Sequence, residues 1–567
     1  MRKIKFFNVV VFAIAVMAIS AQVVLASPAL VALEGNTPAV VSTGTETGTV
    51  SPDQSVPLVF GLRIRNQDQL ERLITELSNP TSPLYHRWLT PRQFEAQFGP
   101  TQADVDTVTD YLRDHNIRVV SISPNRLLIQ ALATSNQISD VFKVQLRQFA
   151  DGFSNTTDPT VPANIAKIVQ SISGLNTRAV MRSHFRRKGK DLTGQQAVAY
   201  GPAGIATAYN FPNKNNKRLK PDASYSGEGV TLAIVSAYTY SSADLQGFYD
   251  KFEIKHTGRI TNIPIGGTST QLDDETTFDI EQATSQAPGA DVLMYLAADN
   301  QFGTFDLAFN QVVCDNNADV ISHSWGLSDV LVGWAQILTN HEIFMQAAAQ
   351  GIVVFAASGD DGAYMQPGIL AQPVYVADYP SSDPLVTAVG GTTLPGSGRS
   401  ERAWTGSGGG VSAFWDRPAW QTGTGVPAYG WYAPANQKRN SPDVSLVADP
   451  ETGYHILYKS KWDVYGGTSG AAPNWAALWV LAEEAAHGRI GGSNVTIYAI
   501  ANSAQYGRVF SDILKGNNGA EVGPGYDAGT GWDFPTGWGT PNGVQLVKWL
   551  LDHQPAPRAD DLGTLYH

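Results

Sequence analysis

The apolar and polar positions of the first part of the chain predict a small domain of strands and helices. Residues 58–64 are mostly apolar and predict a strand, and the apolar spacing over 68–77 predicts a helix. The later elements that we expect are helices starting after Thr90-Pro91 and Gly99-Pro100-Thr101, strands over 117–122 and 126–131, a helix over 135–142 and a strand over 144–149. This order, β-α-α-β-β-α-β, is typical of an α+β domain of the split βαβ, or ferredoxin-like, kind. Residues 27–55 are rich in Thr, Ser, Gly, Pro and Val, and we expect an irregular lead-in there.

From Gly201 onward the pattern changes to strand-like runs separated by helical stretches. The strand-like runs cover residues 230–235, 290–295, 320–324, 352–356 and 385–389. Buried strands that alternate with helices predict an α/β fold, with a parallel sheet covered by helices on both faces. Glycine-rich loops follow several of these strands, at the sheet edge where such folds bind ligands.

A basic and polar stretch over 178–199 lies between the two parts. Its cations include Arg182, Arg186, Arg187, Lys188 and Lys190. It can be interpreted as a solvated linker or as a processing site, and the two interpretations are compatible. We therefore expect a first domain over 56–177, this linker, a second domain over 200–553 and a tail over 554–567.

The N-terminal residues indicate whether the protein is exported. Arg2, Lys3 and Lys5 precede an apolar run over 6–19, and Val24-Leu25-Ala26 follows it. Basic, apolar and small-residue regions in this order predict a secretory signal peptide over 1–26, with cleavage after Ala26. The alternative is an uncleaved anchor, but the run is short for a membrane span and no second one follows. We expect an extracellular protein without stable membrane association.

Length, charge and cysteine content narrow the class of protein. A chain of 567 residues is too long for one ordinary core and suggests two or more domains. The formal net charge of −12 argues against a general nucleic-acid binder and suits an acidic or extracellular setting. Cys314 is the single cysteine, which excludes an intrachain disulfide and zinc sites built from cysteine clusters.

One serine lies in a setting suited to a nucleophile. The run Gly466-Gly467-Thr468-Ser469-Gly470-Ala471-Ala472-Pro473 precedes an apolar, helix-forming stretch over 475–482. Glycines allow a sharp turn and a close approach to a ligand. Ser469 would then lie at a helix N-terminus, where backbone N–H groups favour developing negative charge. The run alone fits equally well a glycine-rich turn that caps a buried helix.

Two other stretches carry candidate acids. Glu275 and Asp279 are four residues apart in a predicted helix that runs to about Ser285, so both carboxylates lie on one helical face. Such a pair can share a proton, which separates the two pKa values, although an acidic first helical turn is the simpler interpretation. Asp360 follows an apolar strand in Ser358-Gly359-Asp360-Asp361-Gly362, where it can also be an ordinary turn residue.

Taken together, these stretches resemble the sedolisin family of serine-carboxyl peptidases, and its kumamolisin-like members especially. The resemblance runs from about Val56 to Leu550 and covers most of the chain. Tyr85-His86-Arg87-Trp88-Leu89-Thr90-Pro91 and Phe98-Gly99-Pro100 are similar to that family's activation prodomain. Other matching stretches are Ser324-Trp325-Gly326, Gly408-Gly409-Gly410-Val411-Ser412, Pro442-Asp443-Val444 and Asp449-Pro450-Glu451-Thr452-Gly453-Tyr454. Each motif is weak alone, and their order and spacing carry the assignment.

The resemblance implies a subtilisin-like fold and a role for each candidate residue. Ser469 would be the nucleophile, Glu275 the general base and Asp279 the carboxylate that orients it and shares its proton. Asp360, when protonated, would donate a hydrogen bond to the oxyanion beside the Ser469 backbone N–H. A carboxylate titrates near pH 4, where a histidine with a pKa of about 6.5 is charged and cannot act as a base. A neutral Asp360 likewise requires acid.

The resemblance also implies a calcium ion and a proenzyme. In the C-terminal part, Asp512 and Asp533 with the carbonyls of Ile513, Gly529 and Gly531 match the family's calcium ligands, and oxygen ligands suit that hard cation. The alternative is a plain Gly/Asp-rich loop. The prodomain would assist folding and inhibit the enzyme from within the chain until self-cleavage between about Arg178 and Ala199. We expect one calcium ion, protein or peptide substrates and a monomer.

The sequence departs from the family pattern at two positions. Some members carry an acid at the end of the first strand of the catalytic domain, where this chain has Ser236. This leaves the pH optimum open. His323 lies in the strand that leads to Trp325, where an aliphatic residue is expected, and we interpret it as a packed or cleft-lining residue.

Three other functions are compatible with parts of the sequence. A subtilisin-type Ser-His-Asp protease shares the Gly-Thr-Ser run before a helix, but none of the ten histidines lies in a His-Gly-Thr-His-like loop. A tripeptidyl-peptidase of the same family would use the same catalytic residues. A secreted binding protein on an inactive scaffold would not need all four of them.

Overall fold

The computed structural model describes eight segments of the chain. They are residues 29–39, 44–187, 199–219, 224–364, 374–396, 400–427, 437–520 and 523–553. The predicted signal peptide over 1–26, the linker residues 188–198 and the predicted tail over 554–567 lie outside the described residues. Among the described residues, no helix is both long and apolar enough to cross a bilayer.

The N-terminal region contains a four-stranded antiparallel sheet with helices against it. Its elements are β1 (Leu30–Ala32), β2 (Glu46–Thr49), β3 (Ser55–Leu62), α1 (Gln67–Leu77), α2 (Pro91–Gln97), α3 (Gln102–Asp114), β4 (Arg118–Ile122), β5 (Leu128–Thr134), α4 (Ser135–Phe142), β6 (Leu146–Phe149), β7 (Gly152–Asn155), β8 (Thr160–Pro162), α5 (Ala163–Ala166) and β9 (Val169–Ser173). The sheet has the order β4-β5-β3-β9, and its neighbouring strands are all antiparallel. This is the ferredoxin-like arrangement, so the predicted α+β domain is confirmed.

The structure differs from two details of the prediction for this domain. The strand predicted over 144–149 is present as β6, but it pairs with β2 and β7 in a separate sheet, and the fourth strand of the main sheet is β9. The lead-in over 27–55 is not irregular throughout, because β1 pairs with β8 and β2 pairs with β6. Both strands of the lead-in are exposed and depend on pairing with distant segments, which local composition does not reveal.

Part of the linker is also structured. Residues 182–187 form two short strands, β10 (Arg182–Ser183) and β11 (Arg186–Arg187), and each pairs with a strand of the second domain. The interpretation as a solvated linker is therefore wrong for these residues, whose backbone is held by another domain.

The second domain is an α/β fold. Its elements are α6 (Pro202–Ala208), β12 (Thr231–Ala237), α7 (Ser242–Phe252), β13 (Ile260–Ile265), α8 (Asp274–Gln286), β14 (Asp291–Ala297), α9 (Phe302–Asp315), β15 (Val320–His323), β16 (Trp325–Ser328), α10 (Trp334–Ala349), β17 (Val353–Ala357), β18 (Asp378–Tyr379), β19 (Val386–Thr393), β20 (Arg402–Ala403), β21 (Gly410–Asp416), β22 (Lys438–Ser441), β23 (Val444–Val447), β24 (Tyr454–Tyr458), β25 (Lys461–Gly466), α11 (Thr468–Ala486), α12 (Ser493–Ala501), α13 (Tyr506–Val509), β26 (Phe510–Ser511), β27 (Thr540–Pro541) and α14 (Gly543–Asp552). Short 3₁₀ turns cover Asp329–Leu331 and Pro450–Thr452.

The central sheet is parallel except at one edge, and helices cover both of its faces. Its order is β13-β14-β12-β15-β17-β19-β20, with β23 also paired to β19, and only β20 runs antiparallel. Alternate residues of β12 face two different cores: Leu232 and Ile234 one, Ala233 and Val235 the other. The predicted parallel α/β sheet is therefore confirmed.

Helix α11 runs through the first of these cores. Its residues from Thr468 to Glu483 are all buried, including the large side chains of Trp475 and Trp479. Such an apolar helix is stable only when it is surrounded, and α8 and the central strands surround it. The position of the residues at its N-terminus is thereby fixed.

The prodomain sheet packs on the opposite face of the second domain, against α9 and α10. Val59 and Ile64 of the prodomain share an apolar cluster with Phe305 and Ile343. Hydrogen bonds also join the two domains. The Ser171 and Thr339 hydroxyl oxygens are 2.7 Å apart, and the Asn125 amide donates to Asn310 Oδ1 over 2.7 Å. The prodomain thus lies beside the helices that cover one face of the central sheet.

Candidate active site

Ser469 lies in the first turn of α11, two positions after a residue with an unusual backbone conformation. Gly467 precedes the helix with φ of +109°, which L side chains rarely adopt. A Cβ atom at this position would lie 2.3 Å from the His184 carbonyl oxygen and 2.6 Å from Asp360 Oδ2. Glycine is therefore needed here, because the His184 carbonyl and the Asp360 carboxyl occupy the space that a side chain would fill.

The partner of the serine hydroxyl is a carboxylate. Ser469 Oγ donates to Glu275 Oε2 over 2.7 Å, and both side chains are fully buried. Glu275 occupies the first turn of α8, which packs directly against α11. The interdigitation of these two helices sets the distance between the residues.

Asp279 lies one helical turn after Glu275 on the same helix. Its Oδ1 accepts a hydrogen bond from the Ser324 hydroxyl over 2.6 Å. Burial raises the pKa of both acids well above the usual values, and the negative charge of Asp279 raises that of Glu275 further. Glu275 Oε1 and Asp279 Oδ2 are buried without a hydrogen-bond partner among the described residues. Two such acids cannot both be ionised cheaply, so the pair retains a proton.

Asp360 comes three residues after the end of β17 and faces the N-terminus of α11. Its Oδ1 accepts from the Thr468 backbone N–H over 2.8 Å and from the Thr468 hydroxyl over 2.9 Å. In the described part of the chain, Oδ2 is buried without a hydrogen-bond partner. Burial raises the pKa of Asp360 to about 7, against the opposing effects of Arg186 and Thr468. Below that pH the carboxyl is protonated and has one hydrogen to donate beside the linker carbonyl.

The linker crosses this cleft in an extended conformation. Strand β10 pairs antiparallel with β16, and β11 pairs antiparallel with β25. Between them, the His184 N–H donates to the Ser324 carbonyl over 3.1 Å, and the His184 carbonyl accepts from the Ser469 backbone N–H over 2.9 Å. The carbonyl that faces the serine is therefore that of the His184–Phe185 peptide bond.

The His184 side chain fills a closed pocket. Its Nε2 lies 3.6 Å from Asp378 Oδ2, and a Cβ atom on Gly326 would approach the same nitrogen to 2.5 Å. Burial lowers the pKa of His184 to about 3 and raises that of Asp378 well above its usual value. The imidazole and the carboxyl thus face each other uncharged.

Comparison with known proteins places this geometry in a family. A family model described as the pro-kumamolisin activation domain matches residues 42–178, and one described as the subtilase family matches residues 257–539. Sedolisin of Pseudomonas sp. (strain 101) is 29% identical over 82% of this chain and 82% of its own. Kumamolisin of Bacillus sp. (strain MN-32) is 30% identical over 85% of this chain and 90% of its own. The chain belongs to the sedolisin family.

A solved structure supports the same fold. Pseudomonas sedolisin, described as a serine-carboxyl proteinase complexed with two molecules of pseudo-iodotyrostatin, matches with a TM-score of 0.55 at 28% identity and covers 64% of this chain and all of its own.

A tripeptidyl-peptidase of Aspergillus fumigatus is 26% identical over 87% of this chain and 89% of its own. This member of the sedolisin family is a serine-type peptidase with an activation prodomain, and the predicted subtilisin-like fold is confirmed.

In this sedolisin-family peptidase, the residues predicted for a metal also come together. The Gly529 N–H donates to Asp533 Oδ2 and the Gly531 N–H donates to Asp512 Oδ2, each over 2.9 Å. Asp512 Oδ1 is buried without a hydrogen-bond partner among the described residues, and Ile513 follows it directly in the chain. The described segments hold no group of three or more His, Cys, Asp or Glu residues suited to a metal, so a cation here would need backbone carbonyls as ligands.

The two positions that depart from the family pattern have distinct surroundings. Ser236 Oγ accepts from Trp325 Nε1 over 3.0 Å and lies 2.9 Å from the Thr276 hydroxyl, and its interaction with Asp279 lowers the pKa of that acid. His323 is buried against Phe305 and Phe309, and its Nδ1 lies 2.8 Å from the Val235 carbonyl. Ser236 thus contacts the acid network, and His323 is a packed side chain.

Sequence reasoning missed several residues of the site. Ser324 was noted only as part of a motif, yet its hydroxyl contacts Asp279 and its carbonyl accepts from His184. Thr468 holds Asp360, and Asp378 faces His184. These contacts join segments far apart in the chain, and no local spacing signals them.

Proposed function

We propose that the protein is a secreted, acid-active endopeptidase that is made as a self-processing proenzyme. The observation that carries the proposal is the arrangement around one peptide bond. The His184 carbonyl accepts from the Ser469 N–H over 2.9 Å, while Ser469 Oγ is bonded to Glu275 over 2.7 Å. The linker is therefore held as a substrate would be, with the His184–Phe185 bond at the nucleophile.

The proposed reaction begins with proton transfer to Glu275. Ionised Glu275 takes the Ser469 Oγ proton as the oxygen attacks the His184 carbonyl carbon, and the π electrons move onto the carbonyl oxygen. That oxyanion receives hydrogen bonds from the Ser469 N–H and from protonated Asp360. When the C–N bond breaks, Glu275 returns the proton to the Phe185 nitrogen. A water then attacks the acyl-enzyme, again with Glu275 as the base, and restores Ser469.

The proton balance of the site supports activity in acid. Asp279 orients Glu275 and takes up the proton that the pair retains, which leaves Glu275 free to be ionised. Asp360 has its pKa raised to about 7, so its proton is present below that pH and is lost as the pH rises through it. Asp360 then no longer donates a hydrogen bond and instead places a negative charge beside the oxyanion, so the rate falls.

The course of the linker before His184 favours an endopeptidase over a tripeptidyl-peptidase. A tripeptidyl-peptidase must accommodate only three residues on this side of the bond, which here are Arg182, Ser183 and His184. The chain continues beyond them in contact with the enzyme: the Met181 N–H donates to the Asn300 carbonyl over 3.0 Å, and Val180 forms a bridge with Gln301. A cleft that is open past the third residue accepts an internal segment of a polypeptide.

We also propose that one calcium ion binds in the C-terminal loop. The carboxylates of Asp512 and Asp533 and the carbonyls of Ile513, Gly529 and Gly531 would hold it. The donor set fits, because Asp512 has a buried oxygen without a partner among the described residues, and burial and the charge of Asp512 both raise the pKa of the neighbouring Asp533. The ion would offset this repulsion and tie the loop together, and it takes no part in the reaction.

The decisive experiment follows the purified precursor after a shift to about pH 4. We expect the wild type to shorten, to expose Phe185 as a new N-terminus in sequencing or mass spectrometry, and to hydrolyse a denatured protein. Ser469→Ala should do neither. If that variant matures and cleaves as the wild type does, Ser469 is not the nucleophile; if wild type cuts only elsewhere, the assignment of the bond is wrong.

A further inference from the structure

The three residues that follow the proposed scissile bond lie against the second domain in different ways. The Phe185 ring stacks on Tyr465 at 5.2 Å between centroids and with 6° between the planes. Arg186 pairs with Gly466 and Arg187 with Tyr465 in the β11–β25 ladder. The ladder fixes the direction of each side chain, so both cations meet the enzyme at defined places.

Arg186 meets an acid that belongs to the cleft wall. Its Nη2 lies 2.5 Å from Asp361 Oδ1 and donates to the Asp360 carbonyl over 3.2 Å. Asp361 is only 17% exposed, whereas Arg186 is 47% exposed. With the linker in place the acid is thus largely covered, and the more exposed cation is the part that reaches it.

Arg187 meets a second acid and an aromatic surface. Its guanidinium is hydrogen-bonded to the Asp274 carboxylate and lies 5.3 Å from the centre of the Tyr465 ring. The Tyr465 hydroxyl donates to the same Asp274 oxygen over 3.2 Å, so the acid is held in place from both sides. A carboxylate beside an aromatic ring selects a cation, and arginine in particular.

We propose that Asp361 and Asp274 determine specificity: the mature enzyme prefers polypeptides with basic residues at the second and third positions after the scissile bond. The inference rests on the proposed function and names a substrate class for it. Both acids belong to the domain that remains after the linker is cut, so the same sites meet every later substrate. Each pair is partly exposed, which limits its contribution to the modest size of surface ion pairs.

The test compares four peptides on the matured wild-type enzyme. They share His before the bond and Phe after it, and they continue with Arg-Arg, Arg-Gln, Gln-Arg or Gln-Gln. We expect kcat/KM for Arg-Arg to exceed that for Gln-Gln about 3- to 30-fold, since exposed pairs each contribute a few tenths to one kcal/mol. The ratio should fall in 0.5 M NaCl, because the pairs are open to salt.

Single variants assign each position. Asp361→Asn should remove the preference for Arg-Gln over Gln-Gln and keep that for Gln-Arg, and Asp274→Asn should do the reverse. Asp250→Asn, an exposed acid on α7, serves as the matched control and should keep both ratios. Each ratio of kcat/KM compares two peptides on the same enzyme, so a variant with a lower overall rate remains informative. The salt series on the wild type tests the ion pairs without any variant.

The outcomes separate the two proposals. Cleavage of all four peptides with equal kcat/KM overturns the inference and leaves the proposed function intact, with the Arg contacts serving the linker alone. Ratios that persist in both variants also overturn it. Cleavage of none of the four by an enzyme that fails to hydrolyse denatured protein overturns the proposed function, and the inference with it.

Discussion

The catalytic cleft and the C-terminal loop both contain carboxylates with buried oxygen atoms, but different groups surround them. In the cleft, Glu275 and Asp279 accept hydrogen bonds from the hydroxyls of Ser469 and Ser324. In the loop, Asp512 and Asp533 accept from the backbone N–H groups of Gly531 and Gly529. Hydroxyls and neighbouring acids can exchange protons, whereas a backbone loop offers fixed oxygens to a hard cation. In our proposal, carboxylates thus serve proton transfer in the cleft and metal binding in the loop.

The largest effect is expected when proton transfer is removed from the cleft. Glu275→Gln keeps the shape of the side chain but cannot accept the Ser469 proton, so we expect kcat to fall about 10⁴-fold or more at pH 4. Steady-state hydrolysis of a peptide measures the loss. Matched to it is Glu281→Gln, a buried acid on the same helix whose oxygens accept from the Leu457 N–H. Comparable losses in the two variants would show that burial of an acid in α8, rather than its proton chemistry, is what matters.

A smaller effect on the rate is expected at Asp360, and it depends on pH. Asp360→Ala removes a donor to the oxyanion and should lower kcat about 10²- to 10³-fold. Asp360→Asn retains an N–H donor at every pH, so its activity should no longer decline as the pH rises through about 7, the pKa of the native acid. Profiles of kcat/KM between pH 3 and 8 measure this difference. An unchanged profile in Asp360→Asn would remove Asp360 from the pH response.

The smallest effect is expected in the loop, and it concerns stability rather than rate. Chelation with EGTA should lower the Tm of the matured enzyme by about 5 °C, because an ion present well above its Kd adds a few kcal/mol to stability. Asp512→Asn should have a lower Tm without chelator and respond little to it. Asp527→Asn, an exposed acid in the same loop, should behave as wild type. An identical melting curve with and without chelator would argue against the calcium site, and a loss of kcat at low temperature would place the ion in the cleft chemistry.

The sequence predicted those parts of the site that local periodicity controls. Glu275 and Asp279 lie on one face of α8 because helical geometry alone brings residues four apart together. The Gly467 turn before α11 was also readable, since few residues other than glycine adopt its φ. The alternation of strands and helices likewise predicted the parallel sheet.

The rest depends on long-range pairing, which the sequence does not display. Residues 144–149 and 169–173 carry similar apolar patterns, and only the tertiary structure decides which of them joins the sheet of the prodomain. The basic linker is also hard to interpret from sequence alone. Arg186 and Arg187 are typical of a solvated segment, and only the folded structure shows that they pair with Asp361 and Asp274. A surface charge run and a bound substrate segment have the same composition.

The position of the His184 carbonyl has a consequence for the kinetics of maturation. The proposed scissile bond and Ser469 belong to one covalent chain, and the hydrogen bond from the Ser469 N–H to the His184 carbonyl holds them together. The encounter step is absent, and the local concentration of the target is set by geometry rather than by the amount of protein. If the precursor cuts its own linker as we propose, maturation is first order, with a half-time that does not change on dilution. A dilute precursor would then mature as readily as a concentrated one, whereas every later substrate must be met by diffusion.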